Sequence, residues 1–188
     1  MQRVIVGISG ASGAIYGIRV LQTLAQTPDV ETHLILSPSA KRTIAEETDW
    51  SVAEVEKLAH VVHPHRDIGA SVASGSFRTV GMLVAPCSIK TLSGIVHSYN
   101  DNLLTRAADV CLKERRRLVL GLRETPLSLV HAENIVRVTR AGGIVAPVVP
   151  AFYAAREADD LLDAYLLRVA DLLDVRIDTA DYRWTGGA

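Results

Sequence analysis

Val4-Ile-Val-Gly-Ile-Ser-Gly-Ala-Ser-Gly-Ala-Ile-Tyr-Gly17 is the stretch whose reading decides the fold. An apolar run of strand character meets Gly7, Gly10 and Gly13, with Ser9 and Ser12 between them, and passes directly into a helical pattern. Glycine permits a tight turn and lets a ligand approach the main chain without a Cβ in the way. The helix that follows would aim unpaired N–H groups and the positive end of its dipole at that ligand, a geometry suited to phosphate. The glycines are spaced by threes, which matches neither G-x-G-x-x-G nor the Walker pattern GxxxxGK[ST] and argues against a dinucleotide or an ATP P-loop.

Outward from this turn, short apolar runs alternate with amphipathic stretches, the pattern of an α/β domain with a parallel sheet. Strands are expected over 3–9, 31–37, 81–85, 118–122 and 144–149, the third of them ending at Pro86. Helical patterns cover 13–26, 41–46, 91–97, 102–114 and 129–140, the last stopped by Gly142-Gly143. Ser51-Val-Ala-Glu54 reads as a capping box opening another short helix, and 60–76 reads as mostly loop with room for one short strand. Leu161, Leu162, Tyr165, Leu166, Val169, Leu172 and Leu173 form an apolar stripe at helical spacing. The expected fold class is therefore α/β: a single-domain, Rossmann-like (flavodoxin-like) three-layer sandwich with a mostly parallel sheet over 1–175, followed by a C-terminal extension at 176–188.

Composition narrows the partners. The chain has 188 residues, is 48% hydrophobic and carries a net charge of −1, so no electrostatic case exists for nucleic acid or anionic lipid. No apolar run approaches the roughly 18–20 residues that span a bilayer, and Met1-Gln-Arg3 leads into a strand without the pattern of a signal peptide. Cys87 and Cys111 form neither a CxxC pair nor a disulfide framework. A cytoplasmic location follows as the expectation.

In a parallel α/β sheet, ligands bind outside the carboxyl ends of the strands, near the point where strand order reverses. The unusual polar residues collect at those ends: Ser9-Gly10-Ala11-Ser12, Ser37, Ser88-Ile89-Lys90-Thr91, Arg123-Glu124-Thr125, and Pro150-Ala-Phe-Tyr153. The end of the second strand discriminates among cofactors. A dinucleotide site of NAD type wants an acidic residue there to hold a ribose diol, whereas this chain has Ser37-Pro38. A monophosphate such as FMN suits the hydroxyl-rich cradle.

With these residues in place, the chain resembles the UbiX-type flavin prenyltransferases over nearly its whole length. The resemblance rests on Gly7-Ile-Ser-Gly-Ala-Ser-Gly-Ala-Ile-Tyr16, Glu47-Thr-Asp49, Ala73-Ser-Gly-Ser76 and Pro86-Cys-Ser-Ile-Lys-Thr-Leu-Ser93. It continues through Asn102-Leu-Leu-Thr-Arg-Ala-Ala-Asp-Val110, Leu112-Lys-Glu-Arg-Arg116, Arg123-Glu-Thr-Pro126 and Pro150-Ala-Phe-Tyr153. It implies a metal-independent transferase that attaches the five-carbon group of dimethylallyl monophosphate to N5 and C6 of reduced FMN. The product, prenylated FMN, would serve a UbiD-type decarboxylase, in quinone biosynthesis or phenolic-acid breakdown. By the same resemblance, Gly10, Ala11, Ser12, Ser37, Ser88, Ile89, Lys90, Thr91 and Arg123 contact FMN. Tyr153 and Arg168 hold the isoprenyl phosphate; Lys113, Glu124, Arg106 and Glu47 lie near the reacting groups, with Ser12 beside them. Such sites are built between subunits of a homo-dodecamer. One departure is Ile68, near a place where some members carry a flavin-facing Trp.

The residues agree with this chemistry. Departure of phosphate from an allylic carbon needs cations such as Arg168, Lys113 and Arg123 at the oxygen, and Glu124 or Glu47 for protons. Asp159-Asp160-Leu-Leu-Asp163 falls short of the DDxxD motif of Mg²⁺-dependent diphosphate enzymes. Elsewhere the plain readings prevail: His60, His63 and His65 as solvated loop histidines, Cys87 as a packed residue, 115–117 as a solvated arginine run, His97 as a core or subunit contact. The competing functions are an FMN-dependent cysteine decarboxylase of phosphopantothenoylcysteine type, whose early His and PxMN-type segment are missing, and a non-enzymatic FMN carrier.

Overall fold

Strand and helix alternate in the computed structural model, which describes residues 1–149, 151–152, 157–175 and 177. In chain order the elements are β1 (Gln2–Ile8), α1 (Ala14–Ala25), β2 (Val30–Leu36), α2 (Pro38–Glu47), α3 (Val52–Lys57), β3 (Val61–His63), β4 (Gly81–Cys87), α4 (Ile89–Val96), α5 (Leu103–Lys113), β5 (Arg117–Leu122), α6 (Leu129–Arg140), β6 (Ile144–Val145) and α7 (Ala158–Leu172). The six strands form one sheet in the order β3-β2-β1-β4-β5-β6, and every pairing is parallel. This is the doubly wound Rossmann-like arrangement, with its order reversing between β1 and β4.

Side-chain alternation along the strands divides the core into two layers. Val4, Val6, Ile8, Leu34, Leu36, Leu83 and Ala85 face α1, α2 and α7. Ile5, Ile35, Met82, Val84, Leu118 and Leu120 face α4, α5 and α6. All seven residues of β4 are buried, as a central parallel strand covered on both faces requires. Gly17 serves this packing, because a Cβ there would collide with the Ala85 carbonyl and Ile8 Cδ1.

Local signals set the boundaries. Ser37, Ser51, Ser88, Asn102 and Ser128 each cap a helix by accepting an N–H from its first turn. The Ser88 cap starts α4 at Ile89, two residues earlier than periodicity indicates. The expected stop at Pro86 is displaced: β4 shifts register between Val84 and Cys87, and Cys87 pairs again with Leu122. The proline's missing donor thus falls in the irregularity. β6 is regular only at Ile144–Val145, although Ala146 and Val148 continue to donate to Leu120 and Leu122. The extension expected at 176–188 lies outside the described residues except for Ile177, which packs on the α1/α7 layer.

Candidate functional site at the carboxyl ends of the strands

Because every pairing is parallel, the turns after β1, β2, β4 and β5 emerge on one edge of the sheet. Gly10, Ala11, Ser12, Ser37, Ser88, Ile89, Lys90, Thr91, Arg123 and Glu124 all lie in these turns or the first helical residues after them. Ser37 joins the group by donating its N–H to the Ile8 carbonyl at 3.0 Å, and Arg123 by donating to the Cys87 carbonyl at 3.1 Å. Gly10, Ser12, Lys90, Arg123 and Glu124 are exposed there, while Ala11 is buried. Gly10 is small for a reason internal to the chain, since a Cβ would strike Ser39 at the start of α2. Gly13 adopts φ 98° and so takes the left-handed turn that opens α1.

At the α1 terminus, a carboxylate of the chain meets the first N–H groups. Glu47 Oε2, from the last residue of α2, accepts the Gly13 N–H at 2.7 Å and the Ala14 N–H at 3.4 Å. A carboxylate belonging to the chain therefore answers the helix dipole. At α4, by contrast, Ser88 Oγ accepts the Thr91 N–H at 3.3 Å and donates to Thr91 Oγ1 at 3.1 Å. That cap leaves the first-turn N–H groups of Ile89 and Lys90 facing the rim, with Lys90 and Arg123 as nearby cations.

Beneath the rim lies an aromatic pair, Tyr16 from the Gly-rich block and Tyr165 from the apolar stripe of α7. Tyr16 meets Tyr165 edge to face at 5.4 Å. Tyr165 donates its hydroxyl to the Ala146 carbonyl at 2.8 Å, and burial pushes its phenol well up. Burial also raises the Tyr16 phenol, against the opposing charge of Arg123. The signal available in sequence was Tyr16 at the first turn of α1, one turn beyond Ser12.

Lys113, at the far end of α5, stands apart from this edge within the chain, while Arg106 lies near the start of α5 and Arg168 on α7. Lys113 ends α5 just before β5 begins, pairs with Glu114, and lies over Gly75. Arg123 follows the other end of β5, and at about 3.3 Å per residue the strand between them spans roughly 17 Å. Arg106, one face of α5 above Lys113, donates Nε to the Ala73 carbonyl at 3.2 Å and Nη1 to Asp109 at 3.1 Å. Arg168 is exposed on α7 one turn before Leu172, whose carbonyl accepts from Arg117 at the start of β5. Tyr153 lies outside the described residues.

Several plain readings also need correction. His63 is half-buried and its Nε2 lies 2.9 Å from His33 Nδ1, whereas His60 stays exposed in a bend, its Nδ1 3.0 Å from Thr32 Oγ1. Parallel pairing of β3 with β2 produces this placement, which no loop composition reveals. In the arginine run, Arg115 and Arg117 are exposed, Arg117 pairing with Asp174 at 2.7 Å, while Arg116 is held by the Phe77 and Gly75 carbonyls, to which it donates. His97 is exposed, not core, with Nδ1 2.8 Å from the Ser93 carbonyl. Asp159 and Asp163 pair with Arg19 at 3.4 and 3.7 Å. Among the described residues, no group of three or more His, Cys, Asp or Glu is placed to hold a metal ion, and no helix is long and apolar enough to cross a membrane.

This arrangement is shared with known proteins. The family model described as Flavoprotein matches residues 1–177. The chain is 54% identical over 188 residues to the flavin prenyltransferase UbiX of Escherichia coli (strain K12), covering 99% of this chain and 100% of that protein. The crystal structure of AnUbiX (PadA1) in complex with FMN and dimethylallyl pyrophosphate is 48% identical with a TM-score of 0.95, over 100% of this chain and 99% of that one. A dodecameric FMN-dependent UbiX-like decarboxylase from Escherichia coli O157:H7 is 47% identical with a TM-score of 0.94, over 98% and 100%. With its six-stranded parallel sheet, its serine- and glycine-lined rim and this full-length similarity, the chain belongs to the UbiX flavin prenyltransferase family of flavoproteins.

Proposed function

We propose that the chain transfers the dimethylallyl group of dimethylallyl monophosphate to N5 and C6 of reduced FMN, making prenylated FMN for a UbiD-type decarboxylase. The observation that carries this reading is the convergence of Ser37, Ser88–Thr91, Arg123, Glu47 and Glu124 on one edge, in a chain 54% identical to a flavin prenyltransferase along its full length. Reduced FMN supplies the two nucleophilic positions. The chain supplies the rest. Donors at Ile89, Lys90, Ser37 and Arg123 suit the flavin and its phosphate. Glu124 and Glu47 are the groups on this edge that can take the protons displaced from N5 and C6.

Arg106, Lys113 and Arg168 belong in this reading through a second copy of the chain. Lys113 lies across β5 from Glu124 within one chain, and a similar protein is dodecameric. In a homo-oligomer, most simply a dodecamer, a neighbour's cations would meet the departing phosphate beside the first copy's carboxylates, with Tyr153 completing the phosphate site. Buried unpaired thiols at Cys87 and Cys111 accord with a cytoplasmic protein.

The deciding experiment is anaerobic incubation with reduced FMN and dimethylallyl monophosphate, without added metal, followed by mass spectrometry of the released flavin. Gain of one five-carbon unit is expected. FMN bound but never alkylated would replace this reading with the carrier or the cysteine-decarboxylase function.

A further inference from the structure

β1 and β4 are joined as a ladder only from Val4↔Gly81 to Gly7↔Val84. That ladder stops one residue short of the end of β1, and on its other side β4 shifts register against β5 beyond Val84. This gap coincides with the reversal of strand order, where the two strands' following segments part to opposite faces of the sheet. A single residue bridges it. Ser9 is 1% exposed. Its N–H donates to the Pro86 carbonyl at 3.2 Å, its hydroxyl donates to the same carbonyl at 2.8 Å, and its Oγ accepts the Ser88 N–H at 2.8 Å.

We infer that Ser9 is a positioning residue for the flavin site: its hydroxyl fixes the Ser88–Thr91 turn against the Gly10–Gly13 turn. The inference rests on the reading of this rim as the flavin site. The Ser88 N–H is committed to Ser9, and the Ser88 hydroxyl to Thr91. Both bonds hold the α4 terminus in one orientation, so the N–H groups of Ile89 and Lys90 face the rim. Ser9 itself is buried under the turns. Gly10, seated against Ser39, and Ser37, bonded to Ile8, fix the opposite wall. Without the Ser9 hydroxyl, the Ser88 N–H loses its acceptor while the Pro86 carbonyl keeps the Ser9 N–H, so the α4 terminus is held less firmly against the Gly10–Gly13 turn. A residue that acts this way should change flavin affinity more than it changes folding.

The test compares the parent chain, Ser9→Ala and Ser9→Thr, each stripped of flavin. FMN is titrated by flavin fluorescence, and the thermal midpoint is recorded without FMN. Ser9→Ala should weaken FMN binding about tenfold, the scale of one buried hydrogen bond left unmade. Ser9→Thr, which keeps the hydroxyl, should stay within about threefold of the parent. If Ser9→Ala does not fold, Ser9→Cys takes its place with the same readings, filling the same space with a much weaker hydrogen-bonding group. Parent-like FMN affinity in Ser9→Ala, or in Ser9→Cys standing in for it, would overturn the inference. So would equal loss in the threonine variant. A parent chain that binds no FMN would instead remove the flavin reading itself.

Discussion

Glu47 Oε2 lies 2.7 Å from the Gly13 nitrogen, so the last residue of α2 closes the first turn of α1 across 34 residues of chain. Gly13 is the N-cap of α1 and has no side chain with which to cap it. The carboxylate both satisfies two orphan N–H groups and answers the dipole. Held this way, it stands beside Ser12 on the rim. Glu47→Ala should lower the thermal midpoint by roughly 2–4 °C, the range expected for losing an N-terminal cap in a chain of this size. Glu47→Gln, which keeps an acceptor oxygen, should lose less than half of that. A thermal melt of each variant decides it, and an unchanged midpoint in the alanine variant would mean that the contact contributes nothing.

The separation of Lys113 from Glu124 along β5 gives a second expectation. If an active site draws Lys113 from one copy and Glu124 from another, two dead variants can restore each other. Lys113→Ala and Glu124→Gln should each abolish prenyl transfer alone. Co-assembled in equal amounts, they should recover about a quarter of the parent activity, the fraction of randomly mixed sites with both groups intact. Mixed oligomers that stay inactive would place both residues in one chain's site, or one of them outside it.

The rim was legible because it needs no tertiary detail. Once apolar runs alternate with helices, the sheet is parallel, and every strand's carboxyl end falls on one edge. Ser37, Ser88 and Arg123 could therefore be gathered from spacing alone. The boundaries of α6 were legible too, since Ser128 begins it and Gly142-Gly143 follows it. What escaped depends on which element packs on which. Glu47 reaches Gly13 only because α2 folds back along α1, a contact between two helices with no local signature. The seating of Gly10 against Ser39 is another such contact, since it depends on where α2 starts. Lys113 and Glu124 sit eleven positions apart in sequence, but the strand between them carries them to opposite ends of the sheet.

Neither cysteine should take part in the chemistry. Cys87 and Cys111 are both 0% exposed, and burial pushes each thiol up to about 12. At about pH 8 the thiolate fraction is then on the order of 10⁻⁴. Native protein should resist iodoacetamide over hours and keep its activity, while denatured protein takes up two equivalents. Rapid labelling of the native chain with loss of prenyl transfer would contradict this assignment.

The buried pair His33 and His63 should make stability depend on pH. His33 is 3% exposed and uses both ring nitrogens: Nε2 lies 2.9 Å from Glu31 Oε1, and Nδ1 lies 2.9 Å from His63 Nε2. The neutral arrangement that satisfies both contacts has His33 donating to Glu31 and accepting from His63. Arg3, paired with Glu31 and lying over Phe77, and His60 add positive charge around His33; Asp67 acts on His63 in the opposite sense. Burial holds both imidazoles below their ordinary range, against the pull of Glu31 on His33. The unfolded chain therefore binds protons more readily than the folded one once pH falls below about 6.5. The resulting stabilisation is complete above that value and is lost as pH falls through the folded values, when a doubly protonated pair would set N–H against N–H. The thermal midpoint should fall by roughly 2–4 °C between about pH 7.5 and pH 5.5 for a loss on the order of 1 kcal/mol. His33→Gln, which cannot take a proton, should start lower and vary less across the same range. An equally steep decline in that variant would assign the acid sensitivity to other groups.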